Sequence, residues 1–306
     1  MNVLIAADME GVVGIDECGD CLPSHPAAYA RGRRLMTDEV LVAIEALRKG
    51  GAERISVGDW HMVGTNIERD RMPDGVEVRP IADLALAEAD PSIAKASGGD
   101  LDAVAMIGHH ASTNSPRGFS SHTFIWDMEV TLGGEQLSEV RTYAQALAAE
   151  GVPVLAVAGD RWMLDELDEG ELGSARLVAT KDGEGRARAR SRDIDATHAE
   201  LAEAIGSALS APLRPPPARQ YPAELRIAVE GKELARTTVS DPAELLTAIA
   251  TVFRTSQVSR EYRQLAKLLP AGNDSRLRAA QRRLGSLLAT PVMRAKERRW
   301  LDQPAR

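Results

Sequence analysis

Cysteine is nearly absent: the 306-residue chain has two, Cys18 and Cys21. A single C-x-x-C with no second pair cannot make a four-cysteine zinc site, and His25 nearby still leaves the set one ligand short. The two residues therefore read as ordinary thiols of a reducing compartment. Aromatic residues make up 4% of the chain, which leaves few platforms for stacking single-stranded bases, and no nucleic-acid-binding fingerprint occurs. Nucleic acid is not an expected partner. No apolar stretch approaches the roughly 18 residues of a membrane span, and the N-terminus lacks the basic region and cleavage site of a secretory signal. These absences point to a cytoplasmic protein with no membrane partner. Neither G-x-G-x-x-G nor G-x-x-x-x-G-K-[ST] is present, so a nucleotide loop is not expected.

What is there is apolar content of 44%, enough for a substantial core. Strand-like and helix-like segments alternate through the first 180 residues, the pattern of a three-layer αβα core with a mainly parallel sheet. Helices are expected over about 29–48, 138–150, 191–209 and 242–256, with a further helical stretch from Ala82. Strands are expected at 2–8, 54–61, 76–81, 102–110, 152–158 and 223–229, and a hairpin at 128–139 turns on Gly133-Gly134. Residues 1–259 form the α/β region, with a smaller subdomain over about 215–259. Residues 260–306 form a helical C-terminal extension broken at Pro270 and Pro291. This extension holds 12 Lys/Arg against 4 Asp/Glu, and with a chain total of −8 the remainder carries −16. Such an extension is expected to pack on acidic surface of its own or a neighbouring subunit.

Three predicted strands end in metal-binding residue types. The first runs into Asp8-Met-Glu10, the second into Asp59-Trp-His61, and the third into Gly108-His109-His110. Alternate strand residues share a face, so Asp8 and Glu10 are expected to stand together. In open α/β sheets ligands gather at the carboxyl ends of strands. Imidazoles combined with carboxylates suit Zn²⁺, Mn²⁺ or Co²⁺ better than Mg²⁺ or Ca²⁺. His109 and His110 point to opposite faces, and the residues alone do not choose between them.

The ordered series Asp8-Met-Glu10-Gly, Arg31-Gly-Arg-Arg-Leu-Met-Thr-Asp-Glu39, Gly58-Asp-Trp-His61, Gly108-His-His110-Ala, Ser121-His122 and Val157-Ala-Gly-Asp160 resembles the zinc-dependent D-aminopeptidase family of the bacterial dipeptide-transport operon. The resemblance covers about residues 1–180 well and continues weakly to about 256, leaving the basic extension outside. It implies a metal-dependent aminopeptidase acting on short peptides with an N-terminal D-residue, in a large self-compartmentalising homo-oligomer, a ring-stacked decamer in its type member. It also implies two Zn²⁺ per chain. Asp8 would bridge the ions, Glu10 and His110 would complete one, and His61 and Glu139 the other, with Glu135 as the alternative to Glu139. His110 is preferred because the family places an aromatic residue where His109 stands. His122 aligns with the family's catalytic histidine, described there as a nucleophile; the residues equally allow acid/base work. Asp59 is a candidate to orient His61. The loop 112–120 is one residue longer than the family's, which bears on substrate preference. The competing readings are a dinuclear hydrolase of another small amide, and a non-catalytic oligomeric binding protein of the same fold.

Overall fold

The computed structural model describes residues 1–62, 64–80, 93, 100–255 and 291–303. The helical stretch expected from Ala82 and the part of the extension around Pro270 lie outside the described residues.

A seven-stranded sheet forms the centre. Its strands are β1 (Asn2–Ala7), β2 (Arg54–Asp59), β3 (Glu77–Pro80), β4 (Ala103–His109), β7 (Val154–Asp160), β8 (Arg176–Gly183) and β9 (Ala189–Ser191), in the spatial order β3-β2-β1-β4-β7-β8-β9. All neighbours are parallel except β9, which runs antiparallel to β8. The expected mainly parallel sheet flanked by helices is the observed fold.

The pleat of β1 sorts the core into two layers. Val3, Ile5 and Ala7 pack with Met36, Val40, Ile44 and Leu47 of α1 (Pro26–Lys49) and with Leu201 and Ile205 of α4 (Ile194–Leu209). Leu4 and Ala6 face the other way, onto Val140, Tyr143, Ala144 and Leu147 of α2 (Glu139–Glu150). Each fully buried Leu or Ile contributes roughly 1.5–3 kcal/mol. A short helix, α3 (Arg161–Asp165), follows β7 directly. The start of α2 is set by Ser138, whose hydroxyl accepts from the Arg141 amide, and its end by Gly151 in the left-handed region at φ 68°.

A second, four-stranded sheet lies beside the first. The expected hairpin forms its β5 (Met128–Leu132) and β6 (Glu135–Gln136), while β10 (Ala223–Val229) and β11 (Lys232–Val239) come from much later in the chain, and the spatial order is β11-β10-β5-β6. Leu245 and Ile249 of α5 (Pro242–Thr255) cover it. The segment about 215–259 therefore shares its sheet with residues 128–136.

The loop after β1 meets the end of β4 backbone to backbone at the carboxyl edge of the central sheet. The Asp8 amide donates to the Ile107 carbonyl at 2.8 Å, and the Gly11 amide to the Gly108 carbonyl at 2.7 Å. A Cβ on Gly11 would lie 1.9 Å from the His109 carbonyl oxygen, and one on Gly108, whose φ is +74°, would lie 2.2 Å from the Asp8 carbonyl oxygen. Only glycine permits this approach.

The described part of the extension is helical over 291–301, labelled α6. Arg294 donates to the Ser24 carbonyl, Glu297 pairs with His25, and Trp300 stacks on Trp126.

Candidate metal centre

The first two strands stop one or two residues short of the sequence expectation. β1 ends at Ala7 and β2 at Asp59, and the Trp60 amide bonds the Ala7 carbonyl. Asp8, Glu10 and His61 thus sit in the loops beyond the strands, and strand alternation is not what aligns Asp8 with Glu10. The glycine contact at Gly11 turns the loop and brings both carboxylates to one side. All three are buried.

Three overlapping groups of donor atoms form, each within 4.8 Å: Asp8, Glu10 and His61; Asp8, His110 and Glu139; Glu10, His110 and His122. Glu10 groups with His110, a pairing the resemblance implies, and also with His61, while Glu139 groups with His110; two of the groups pair one imidazole with two carboxylates. Asp8 is common to these two. His61 Nδ1 lies 3.1 Å from Glu10 and 3.4 Å from Asp8, while its Nε2 donates to the Cys21 carbonyl at 2.8 Å. His110 Nε2 lies 3.3 Å from Asp8 and 3.6 Å from Glu139, while its Nδ1 donates to the Ala111 carbonyl at 3.1 Å. Each imidazole uses one nitrogen on a backbone carbonyl and turns the other to the carboxylates, the arrangement that fixes a metal-ligating tautomer.

The electrostatics are those of a buried anionic cluster. Burial raises the Asp8 carboxyl, but His110 and His61 outweigh it and hold the group well below the usual carboxylate range. Burial pulls His110 down, yet Asp8 and Glu139 lift it to about 10. His61 is likewise lifted well above its usual value, against burial, by Glu10 and Asp8. Protons on these imidazoles balance the carboxylates, and a divalent cation would take their place. Burial pushes Glu139 up to about 7; its Oε1 accepts the Phe124 amide at 2.7 Å. This donor set fits transition-metal ions.

His109 takes the other face, against Trp60 and Tyr143 at ring separations of 6.5 and 6.2 Å. Burial holds it to about 4, and neither ring nitrogen has a hydrogen-bond partner among the described residues. Glu135 is exposed and paired with Arg219, away from the cluster. Asp59 does not touch the His61 ring. Its carboxylate accepts from the amides of Asn66 and Ile67 and from the Asn66 side chain, which in turn donates to the His61 carbonyl. Asp59 thus fixes the backbone that carries His61.

His122 stacks on His110 with centroids 4.2 Å apart and planes 16° from parallel. Its Nδ1 donates to the Ser120 carbonyl at 2.7 Å, leaving the other nitrogen for the cluster. Burial and the neighbouring His110 lower it to about 4. Ser120 and Phe124, two residues either side, have φ of 47° and 61°, strain of the kind that marks a constrained loop. The loop is also held by Asp160, which accepts from the Phe119 and Gly183 amides at 2.7 and 3.1 Å.

Sequence reasoning missed Lys181. It is fully buried on β8, with its ammonium on the carbonyls of Glu10 (2.7 Å) and Ile15. It braces the loop that carries two of the carboxylates. A lysine in a polar stretch gives no sequence signal of such burial. Glu39, quoted above only as part of a motif, is also fully buried and accepts the Val13 amide at 2.9 Å. Cys18 and Cys21 are buried free thiols, both raised by burial.

Comparison with known proteins bears on this arrangement. A D-aminopeptidase from Bacillus subtilis is 27% identical over 171 residues, 55% of this chain and 60% of the relative. The match spans less than two thirds of that relative's length. The solved structure described as the zinc-dependent D-aminopeptidase DppA from Bacillus subtilis, a self-compartmentalizing protease, superposes with a TM-score of 0.70 at 20% identity, covering 83% of this chain and 97% of that one. The likeness is one of fold. The sequence profile of the D-aminopeptidase family matches residues 1–266, and the chain therefore belongs to the D-aminopeptidase family.

Proposed function

We infer that the protein is a zinc-dependent aminopeptidase that hydrolyses short peptides or amides with an N-terminal D-residue, small ones such as D-Ala first. The observation that carries this reading is the orientation of His61 and His110, each pinned by a carbonyl on one side and facing shared carboxylates on the other. Asp8, Glu10 and His61 would hold one ion, and Asp8, His110 and Glu139 the second, with Mn²⁺ or Co²⁺ as alternatives to zinc. Such a pair supplies Lewis-acid polarisation of the scissile carbonyl, activation of water and an anchor for the substrate amine.

The chain's own groups do the rest. His122, oriented by Ser120, takes a proton on its outward nitrogen and returns it to the leaving amine, a contribution of roughly 10²–10⁴-fold. The Phe124 amide holds Glu139 in place, and Lys181 and Glu39 hold the Asp8–Gly14 loop. Family membership and a structural neighbour described as self-compartmentalizing support a self-compartmentalising homo-oligomer; a decamer working in the cytoplasm is the form we propose.

The test loads purified protein with zinc, counts bound metal, and compares D-Ala with L-Ala amides and dipeptides. Two ions per chain and a preference for D-Ala are expected. Equal rates on both hands would remove the stereochemical part; no bound metal after reconstitution would remove the whole reading.

A further inference from the structure

The helix α6 brings Met293, Glu297 and Trp300 to one face by spacings of four and three, and all three are buried, Trp300 to 1% exposure. This face sits against the loops of the metal centre. Arg294 donates to the Ser24 carbonyl at 3.0 and 3.2 Å, and both Glu297 oxygens meet His25 Nε2 at 2.9 and 3.0 Å. Arg186 donates to the Trp300 carbonyl at 3.0 Å and lies over its ring at 5.1 Å. The Trp300 indole stacks on Trp126 with centroids 5.0 Å apart and planes 8° from parallel, and stands edge-on to His122 at 6.4 Å. Its Nε1 is buried with no hydrogen-bond partner among the described residues. The helix falls outside the part of the chain that matches the family, residues 1–266.

We propose that Trp300 is a substrate-contacting residue that walls the leaving-group side of the site, its indole N–H donating to an acceptor oxygen on the residue after the scissile bond. The inference rests on the aminopeptidase reading above. If His122 returns a proton to the leaving amine, then what lies beyond His122 meets the residue carried by that amine. There the structure places the stacked indoles of Trp126 and Trp300, the latter edge-on to His122. A buried donor without an acceptor is costly, and a dipeptide brings the missing acceptor as its carboxylate. Arg186, shared with Asp127 and the Thr113 carbonyl, puts a guanidinium behind the same ring.

The experiment compares full-length, zinc-loaded wild type, Trp300→Phe and Trp300→Ala on D-alaninamide and D-alanyl-D-alanine, with zinc content and melting temperature measured alongside. Only the dipeptide carries a carboxylate on its leaving residue. Trp300→Phe keeps a ring and loses the N–H. It should lower the dipeptide-to-amide ratio of kcat/KM about tenfold, through KM, because the lost bond is to a charged acceptor. Trp300→Ala should lower the ratio further. An unchanged ratio in Trp300→Phe with a raised melting temperature would make the indole N–H a structural orphan and overturn the proposal. Faster turnover of both compounds by Trp300→Ala would make the helix a plug and also overturn it. If wild type turns over neither compound, the aminopeptidase reading has failed on its own account, and calorimetric binding of D-alanyl-D-alanine decides the contact. Tenfold weaker binding to Trp300→Phe supports it, and equal or absent binding overturns it.

Discussion

Replacing Glu39 by glutamine tests how the Asp8–Gly14 loop is braced. Glu39 is fully buried, accepts the Val13 amide through Oε2, and has no hydrogen-bond partner on Oε1 among the described residues. Burial raises its carboxyl from the ordinary 4.5 to about 7, only partly offset by the Val13 amide and by Lys181. The folded protein thus holds this proton more tightly than the unfolded chain does. The stability it contributes is fully present below about pH 4.5 and is lost as pH rises through 7. That interval corresponds to about 3 kcal/mol as an upper figure. The side-chain amide of the Glu39→Gln variant keeps an oxygen for Val13 and cannot ionise, so it escapes the loss. Urea unfolding of chelator-treated wild type and Glu39→Gln at pH 5 and pH 8 measures the difference without zinc linkage. The variant should gain on wild type by up to about 2.5 kcal/mol between the two pH values, because the unfolded carboxyl is already largely ionised at pH 5. A stability difference that is the same at both pH values would refute the reasoning, as would a variant less stable at pH 8.

Asp8→Ala should remove both ions together, since Asp8 belongs to both of the groups proposed to hold an ion, whereas Glu10→Ala should mainly weaken one; elemental analysis after gel filtration reads this. His122→Ala should lower kcat by about 10²-fold or more with zinc content unchanged. Loss of a metal in that variant would instead make His122 a ligand, through its proximity to Glu10 and His110. Gly108→Ala should lower the yield of zinc-competent protein, because its Cβ would press on the Asp8 backbone at 2.2 Å; circular dichroism with zinc titration checks it.

Most of the parallel sheet is legible in the sequence because β1, β4 and β7 are buried along their whole length or nearly so, and read as continuous apolar runs. β11 is not. Its Lys232–Val239 stretch is largely exposed, with Val239 its one buried residue, so no alternating pattern marks it. β8 hides for a related reason: its polar Lys181 is among the most buried side chains, a state that depends on two carbonyls far away in sequence. The residues grouped at the centre could be read from their order along the chain. How the loops turn after the strands end could not, because that depends on backbone contacts such as the Gly11 amide on the Gly108 carbonyl. Trp300 gave no signal at all, since nothing near it in sequence links it to His122.

The contact between Gly11 and Gly108 has a bearing on how such a protein can diverge. Where the carboxylate-bearing loop crosses the end of β4, main chain meets main chain with no room for a side chain. Drift at these two positions is closed, and so is any change of chemistry that would need a new group there. Variation is left to the rim: the 112–120 loop, the Trp126 segment and the helix that ends in Trp300. Descendants of one such scaffold would therefore share a centre and differ in what they admit to it, and swapping rims between them would exchange preference without rebuilding the centre.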